Sequence, residues 1–101
     1  MPASPERARA IAALRFRALG DETRLRILER LVSGDASVSE LTESVNIGQS
    51  LASHHLRILR EAGLVVDRRE GRWIYYSLGE AALVEVKFAL SEFHPGDEFQ
   101  A

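Results

Sequence analysis

Side chains that can bond to base edges and phosphates recur at helical spacing near the middle of this 101-residue chain. Gln49, Ser50, Ser53 and Arg57 fall on one face of a predicted helix, and His54 lies at the edge of that face. A glutamine can bond to adenine, an arginine can bond to guanine or hold a phosphate, and serines are small, adaptable partners. This face therefore has the chemistry of a surface that reads nucleic acid.

A second basic group follows about ten residues later. Arg68, Arg69 and Arg72 surround a predicted turn at Glu70–Gly71 between two segments rich in β-branched and aromatic residues. Gly71 provides the positive φ that a tight hairpin needs. A basic hairpin beside the polar helix would act as a wing that reaches a flanking groove or the phosphate backbone.

The remaining elements must position these two groups. The sequence predicts one domain over residues 1–101, mainly α-helical with a small β-hairpin, in the order α-α-α-α-β-β-α. Its predicted parts are a first helix over 5–19, a second helix capped by Asp21, a helix-turn-helix over 37–62, a hairpin over 64–78, a last helix over 80–93 and a loose tail over 95–101.

Three local signals define the helix-turn-helix. Ser37 and Glu40 have the spacing of a capping box, and Asn46 and Gly48 are residue types that tolerate left-handed backbone in a turn. The apolar residues of the following helix form its buried arc, with Leu56 at the edge. That arc contains Leu51, Ala52, His55, Ile58, Leu59 and Ala62.

These segments resemble the ArsR/SmtB family of winged helix-turn-helix repressors. The resemblance covers residues 18–31, 37–65 and 68–78, in the family's order. It implies a homodimer built from the first and last helices, here 5–19 and 80–93, and one recognition helix per subunit in successive major grooves of a palindromic double-stranded DNA operator. It also implies release from DNA when an inducer binds.

The chain departs from the family at its metal-sensing positions. It has no cysteine, and Ser37 and Ser39 stand where many members carry a cysteine pair, so that sensor is absent. Where other members bind zinc through the last helix, the sequence keeps Glu80 but has Ala82 and Phe93 in place of histidines. A non-standard site for nickel or zinc could use Glu80, Glu85, Glu92 and His94. A solvated acidic tail and a sensor partner protein are the alternatives.

Composition narrows the classes of function. The net charge of −2 is a sum over basic and acidic segments, and residues 49–76 carry five arginines against three acids. No phosphate loop or nucleophilic catalytic set is visible, so we expect a regulator and not an enzyme. A winged-helix protein-interaction module without DNA binding is the alternative.

No apolar run is long enough to span a membrane or to act as a secretory signal, so the sequence predicts a cytoplasmic protein.

Overall fold

A computed structural model describes residues 4–94 of the chain. The helices are α1 (Pro5–Leu19), α2 (Glu22–Val32), α3 (Val38–Val45), α4 (Gln49–Glu61) and α5 (Glu80–Ser91), and the strands are β1 (Ala36–Ser37), β2 (Val65–Glu70) and β3 (Trp73–Leu78). The predicted tail over residues 95–101 lies outside the described residues.

The sheet has one strand more than the sequence predicted. β3 pairs antiparallel with β2 in the hairpin and with β1 on its other side, where Ala36 faces Tyr76 and Ser37 faces Tyr75. β1 contains only two residues, and two residues cannot display the alternation by which a strand is recognised. The wing is therefore attached to the segment that enters α3.

Helix boundaries follow the predicted caps closely. The Asp21 carboxylate accepts a hydrogen bond from the Arg24 amide at 3.1 Å, and Asn46 ends α3 in the left-handed region at φ 59°. Gly48 differs from the prediction, because it has φ −73° and serves as the N-cap of α4. The last helix ends at Ser91, two residues before the predicted end.

The core lies between α2, α3, α4 and the sheet. Its largest fully buried side chains come from every one of those elements or their ends: Ile27, Leu41, Val45, Leu56, Leu59, Leu64 and Val65. The predicted buried arc of α4 was wrong at Leu51, which is 46% exposed. Leu56, which the sequence placed at the edge of that arc, is buried in the core.

Ser37 links β1 to α3 through a complete capping box. Its hydroxyl accepts a hydrogen bond from the Glu40 amide at 3.2 Å, and the Glu40 carboxylate accepts one from the Ser37 amide at 2.9 Å. The backbone hydrogen bond from Ser37 is the main reason why the pKa of Glu40 lies below its ordinary value. The box is therefore intact above the ordinary pKa of glutamate, and its contribution is lost as the pH falls through the lowered value.

Replacing the capping hydroxyl should destabilise the fold measurably. We expect Ser37→Ala to lower the free energy of unfolding by about 1 kcal/mol, because it removes the acceptor for the Glu40 amide. Urea denaturation followed by circular dichroism measures the change. Ser39→Ala is the matched control, since Ser39 is an exposed serine of the same helix. Equal effects of the two substitutions would contradict the role of the cap.

Candidate nucleic-acid interface

The exposed face of α4 forms one wall of an open concave surface. Seven residues line this surface, which we call the reading surface: Gln49, Ser50, Ser53, His54, Arg57, Arg60 and Tyr76. Five of them are residues that the sequence predicted to contact DNA. The structure therefore brings together the whole predicted set on α4.

The helix presents this face because its other face is fixed in the core. Ala52, His55, Leu56 and Leu59 are buried at the spacing of successive helical turns. Gly48 offers no side-chain cap, so the first-turn amides of α4 are left for other acceptors. A helix N-terminus with uncapped amides favours a phosphate group.

Arg60 and Tyr76 were not among the predicted site residues. Arg60 forms an ion pair with Asp67 on β2 at 3.3 Å, which ties the end of α4 to the wing. Burial, followed by the charge of Asp67, raises the pKa of Tyr76, so its hydroxyl remains a hydrogen-bond donor. Sequence alternation could separate Tyr76 from Tyr75, but only the folded structure shows that Tyr76 lines the surface.

The wing arginines lie apart from the reading surface. Arg68 pairs with the carboxylates of Asp35 and Glu70 and stacks 5.1 Å from the ring centre of Tyr75. Arg69 is exposed and, as its neighbour on the strand, points to the opposite face of the sheet. Arg72 lies at the tip of the hairpin, 5.9 Å from the ring centre of Trp73. The hydrogen bonds to Asp35 and Glu70 raise the pKa of Arg68.

The candidate metal ligands are spread along α5. Glu80 stands in the first turn and Glu92 follows the last, while Glu85 forms an ion pair with Arg15 at 3.0 Å. Among residues 4–94, no three histidine, aspartate or glutamate side chains come together in a way that could hold a metal ion. The described residues of one chain therefore do not assemble the nickel or zinc site that the sequence left open.

An apolar groove runs between α1 and α5. Val84, Phe88 and Phe93 line it from α5 and the residues that follow, and Phe88 and Phe93 are 67% and 77% exposed. Ala8, Ile11 and Ala12 line it from α1. Arg15 also reaches this groove, and it donates a hydrogen bond to the Ala62 carbonyl at the end of α4 at 3.1 Å.

A helix-turn-helix with a polar second helix, followed by a wing, defines a winged helix DNA-binding protein. Residues 21–66 match the model of a family described as bacterial regulatory proteins, arsR family. The transcriptional repressor SdpR of Bacillus subtilis is 39% identical over 83 residues, which cover 81% of this chain and 92% of that protein. The chain therefore belongs to the ArsR family.

Solved structures agree with this assignment. An ArsR-like transcriptional regulator from Rhodococcus superposes with a TM-score of 0.77 at 34% identity, covering 83% of this chain and 79% of that one. A homodimeric winged helix-turn-helix DNA-binding domain from Mycobacterium bovis superposes with a TM-score of 0.72 at 27% identity, covering 98% of this chain and 97% of that one. The predicted fold class is confirmed.

The family also settles the class of activity. Its members and the relatives named above are transcriptional regulators, so the expectation that this chain is not an enzyme is confirmed. Within residues 4–94, no helix combines the length and the apolar character that crossing a membrane requires.

Proposed function

We propose that this protein is a dimeric repressor that binds a palindromic DNA operator through the reading surface of each subunit. The observation that carries the proposal is the set of polar groups on the exposed face of α4. Gln49, Ser50 and Ser53 occupy the first turns of that helix, where base contacts concentrate when a recognition helix enters the major groove. Arg57 and Arg60 extend the same face with positive charge.

The dimer in this proposal covers the groove between α1 and α5. The side chains of Phe88 and Phe93 are 67% and 77% exposed, and contact between such apolar surface and water is unfavourable. A second copy of the groove would bury them. Two-fold symmetry of the protein would then match a two-fold symmetric operator. Homodimerisation of the Mycobacterium bovis domain supports this arrangement.

The proposed role of the wing differs between its arginines. Arg69 and Arg72 are the candidates for contacts with the flanking phosphates, because no ion pair within the described residues holds either guanidinium. Arg68 must exchange Asp35 and Glu70 for a phosphate before it can contribute. Exposed ion pairs are weak enough for such an exchange.

The inducer in this proposal acts without cysteine chemistry, since the chain contains no cysteine. Calorimetric titration of the dimer with nickel, zinc and cobalt, repeated with His94→Ala, tests direct metal sensing. We expect no stoichiometric binding, because the described residues of one chain assemble no metal site. Stoichiometric binding that His94→Ala removes would instead show a direct metal site that includes His94, and its absence directs the search to small molecules and partner proteins.

Selection from a pool of randomised DNA duplexes tests the proposed function directly. We expect the protein to enrich a palindromic sequence and to bind it with an affinity that falls steeply with salt, since phosphate contacts release counterions. Failure to retain any duplex at low salt would favour the alternative, a winged-helix module that binds proteins and not DNA.

The side chain of Arg57 should contribute directly to operator affinity. We expect Arg57→Ala to weaken binding to the selected duplex by about tenfold or more, the range of one bidentate base contact. The exposed position of Arg57 predicts unchanged circular dichroism and thermal stability. Arg7→Ala removes the same charge from the first turn of α1, which does not line the reading surface, and should leave the affinity within about twofold. Loss of secondary structure in Arg57→Ala would refute its placement.

A further inference from the structure

A partly buried polar cluster joins α1, α2 and α4 behind the reading surface. Its centre is Arg24, whose guanidinium donates hydrogen bonds to the carbonyls of Ala18 at 2.6 Å and Arg17 at 3.2 Å, at the end of α1. The third contact of Arg24 is Nδ1 of His55 on α4, at 3.2 Å. The planar guanidinium of Arg24 therefore connects the end of the first helix to the recognition helix.

His55 is a buried residue with few charged neighbours. From α2 it faces Arg24 and, at the N-cap, Asp21, whose carboxylate oxygen lies 4.0 Å from Nδ1. On α4 itself its neighbour is His54, with a ring centre 5.5 Å away. His54 lines the reading surface, so the same turn of α4 carries one histidine in the polar cluster and one at the candidate DNA contact.

The hydrogen bond fixes the protonation state of His55. A guanidinium nitrogen can only donate, so Nδ1 must accept, and the imidazole must be neutral with its proton on Nε2. A second proton on the imidazole ring would lie on Nδ1, where it would face the guanidinium of Arg24. Burial is the main cause that lowers the pKa of His55, with Arg24 and His54 acting in the same direction and Asp21 opposing them.

We propose that Arg24 and His55 are a positioning pair for the recognition helix, and that operator binding requires the neutral form of His55. The pair sets how α4 is seated against α1 and α2, and therefore how Ser53, His54 and Arg57 are presented. Protonation of His55 ends the Arg24 contact and loosens that seating. This inference rests on the proposed function, because it concerns the same face of α4.

The pH dependence has a defined sign. The contact is complete above the ordinary pKa of histidine and is lost as the pH falls through the lowered value in the folded protein. A variant that removes the titration of His55 alone is therefore needed to test this dependence.

His55→Gln is that variant. The amide oxygen of glutamine can accept the Arg24 hydrogen bond, but the side chain does not titrate. We expect His55→Gln to bind the selected duplex within about threefold of the wild type at about pH 7.5, the cost of an imperfect isostere. At about pH 5.5, we expect the wild type to lose affinity relative to His55→Gln, by less than about tenfold because the pKa of His55 lies below its ordinary value, and we expect the deficit to grow as the pH falls further.

His55→Leu separates positioning from packing. Leucine fills a similar volume but cannot accept a hydrogen bond, so it should weaken binding at both pH values even where circular dichroism shows a folded protein. Equal affinities of His55→Leu and the wild type at about pH 7.5 would overturn the inference, since the contact would then not matter. Parallel pH profiles of the wild type and His55→Gln would overturn it as well.

A measurement on the unsubstituted protein covers the case in which the variants do not fold. Nitrogen-15 chemical shifts of the His55 ring at about pH 7.5 should show a protonated Nε2 and an unprotonated Nδ1. A proton on Nδ1 would overturn the proposed pair. Failure of the wild type to bind any duplex overturns the proposed function itself, whereas binding with an unchanged pH profile in His55→Gln overturns only the positioning role.

Discussion

Phe88→Asp should convert the protein to a monomer and weaken its binding to a palindromic duplex by about a hundredfold or more. Phe88 projects into the groove between α1 and α5, where Val84 and Phe93 are also exposed. In the proposed dimer a carboxylate at this position would replace an aromatic ring in a largely apolar contact and would lose its hydration, which opposes association. A monomer holds only one half-site, so it loses the contacts of the second recognition helix.

Sedimentation velocity and a duplex-binding titration measure the two parts of this prediction. Val32→Asp is the matched control, because Val32 is a 75% exposed apolar residue at the end of α2 and does not line the groove. It should remain dimeric and bind the duplex. A dimeric Phe88→Asp variant would show that α1 and α5 do not form the interface, and a monomeric variant with full affinity would show that dimerisation is not needed for binding.

Gly79→Ala should destabilise the fold by about 3 kcal/mol or more, through steric overlap with backbone atoms. Gly79 is the buried N-cap of α5, and its amide donates to the Leu64 carbonyl at 2.8 Å. A β-carbon there would overlap with the Gly63 carbonyl oxygen and lie 2.9 Å from its carbonyl carbon. Backbone atoms cannot move aside as a flexible side chain can, so the start of α5 would have to shift.

Gly48→Ala provides the control for this prediction. Gly48 is also the N-cap glycine of a helix, but a β-carbon there meets no atom within 4 Å. Both substitutions replace an N-cap glycine by alanine, which lowers the free energy of unfolding by about 1 kcal/mol or less. The difference between the two variants in the free energy of unfolding therefore isolates the cost of the steric overlap at Gly79. Urea denaturation of both variants measures it. Similar unfolding free energies would mean that α5 can be displaced from Gly63 at little cost.

Much of the interface could be predicted because it depends on local patterns. The five predicted residues of α4 share one face because they recur at the helical period. The caps at Asp21 and Ser37 depend on hydrogen bonds between residues that are three positions apart. Helical periodicity and capping chemistry are properties of a short segment, so the sequence alone can reveal them.

The remainder depends on contacts between distant segments. Tyr76 of β3 and six residues of α4 that are 16 or more positions away line the same reading surface, and Arg68 is held by Asp35, which is 33 residues away. β1 is a strand only because β3 lies next to it. Leu56 is buried in a core that several elements form, and a helical wheel drawn for one helix does not include those contacts.

The junction at Ser37 has a mechanical consequence. Ser37 is both the last residue of β1 and the N-cap of α3, so no connecting segment separates the strand from the helix. The torsions of Ser37 alone lie between the strand and the helix, and the capping box restrains this residue through two hydrogen bonds with Glu40. Because β3 pairs with β1 at Ala36 and Ser37, we expect a displacement of α3 to be transmitted to the wing through these two residues.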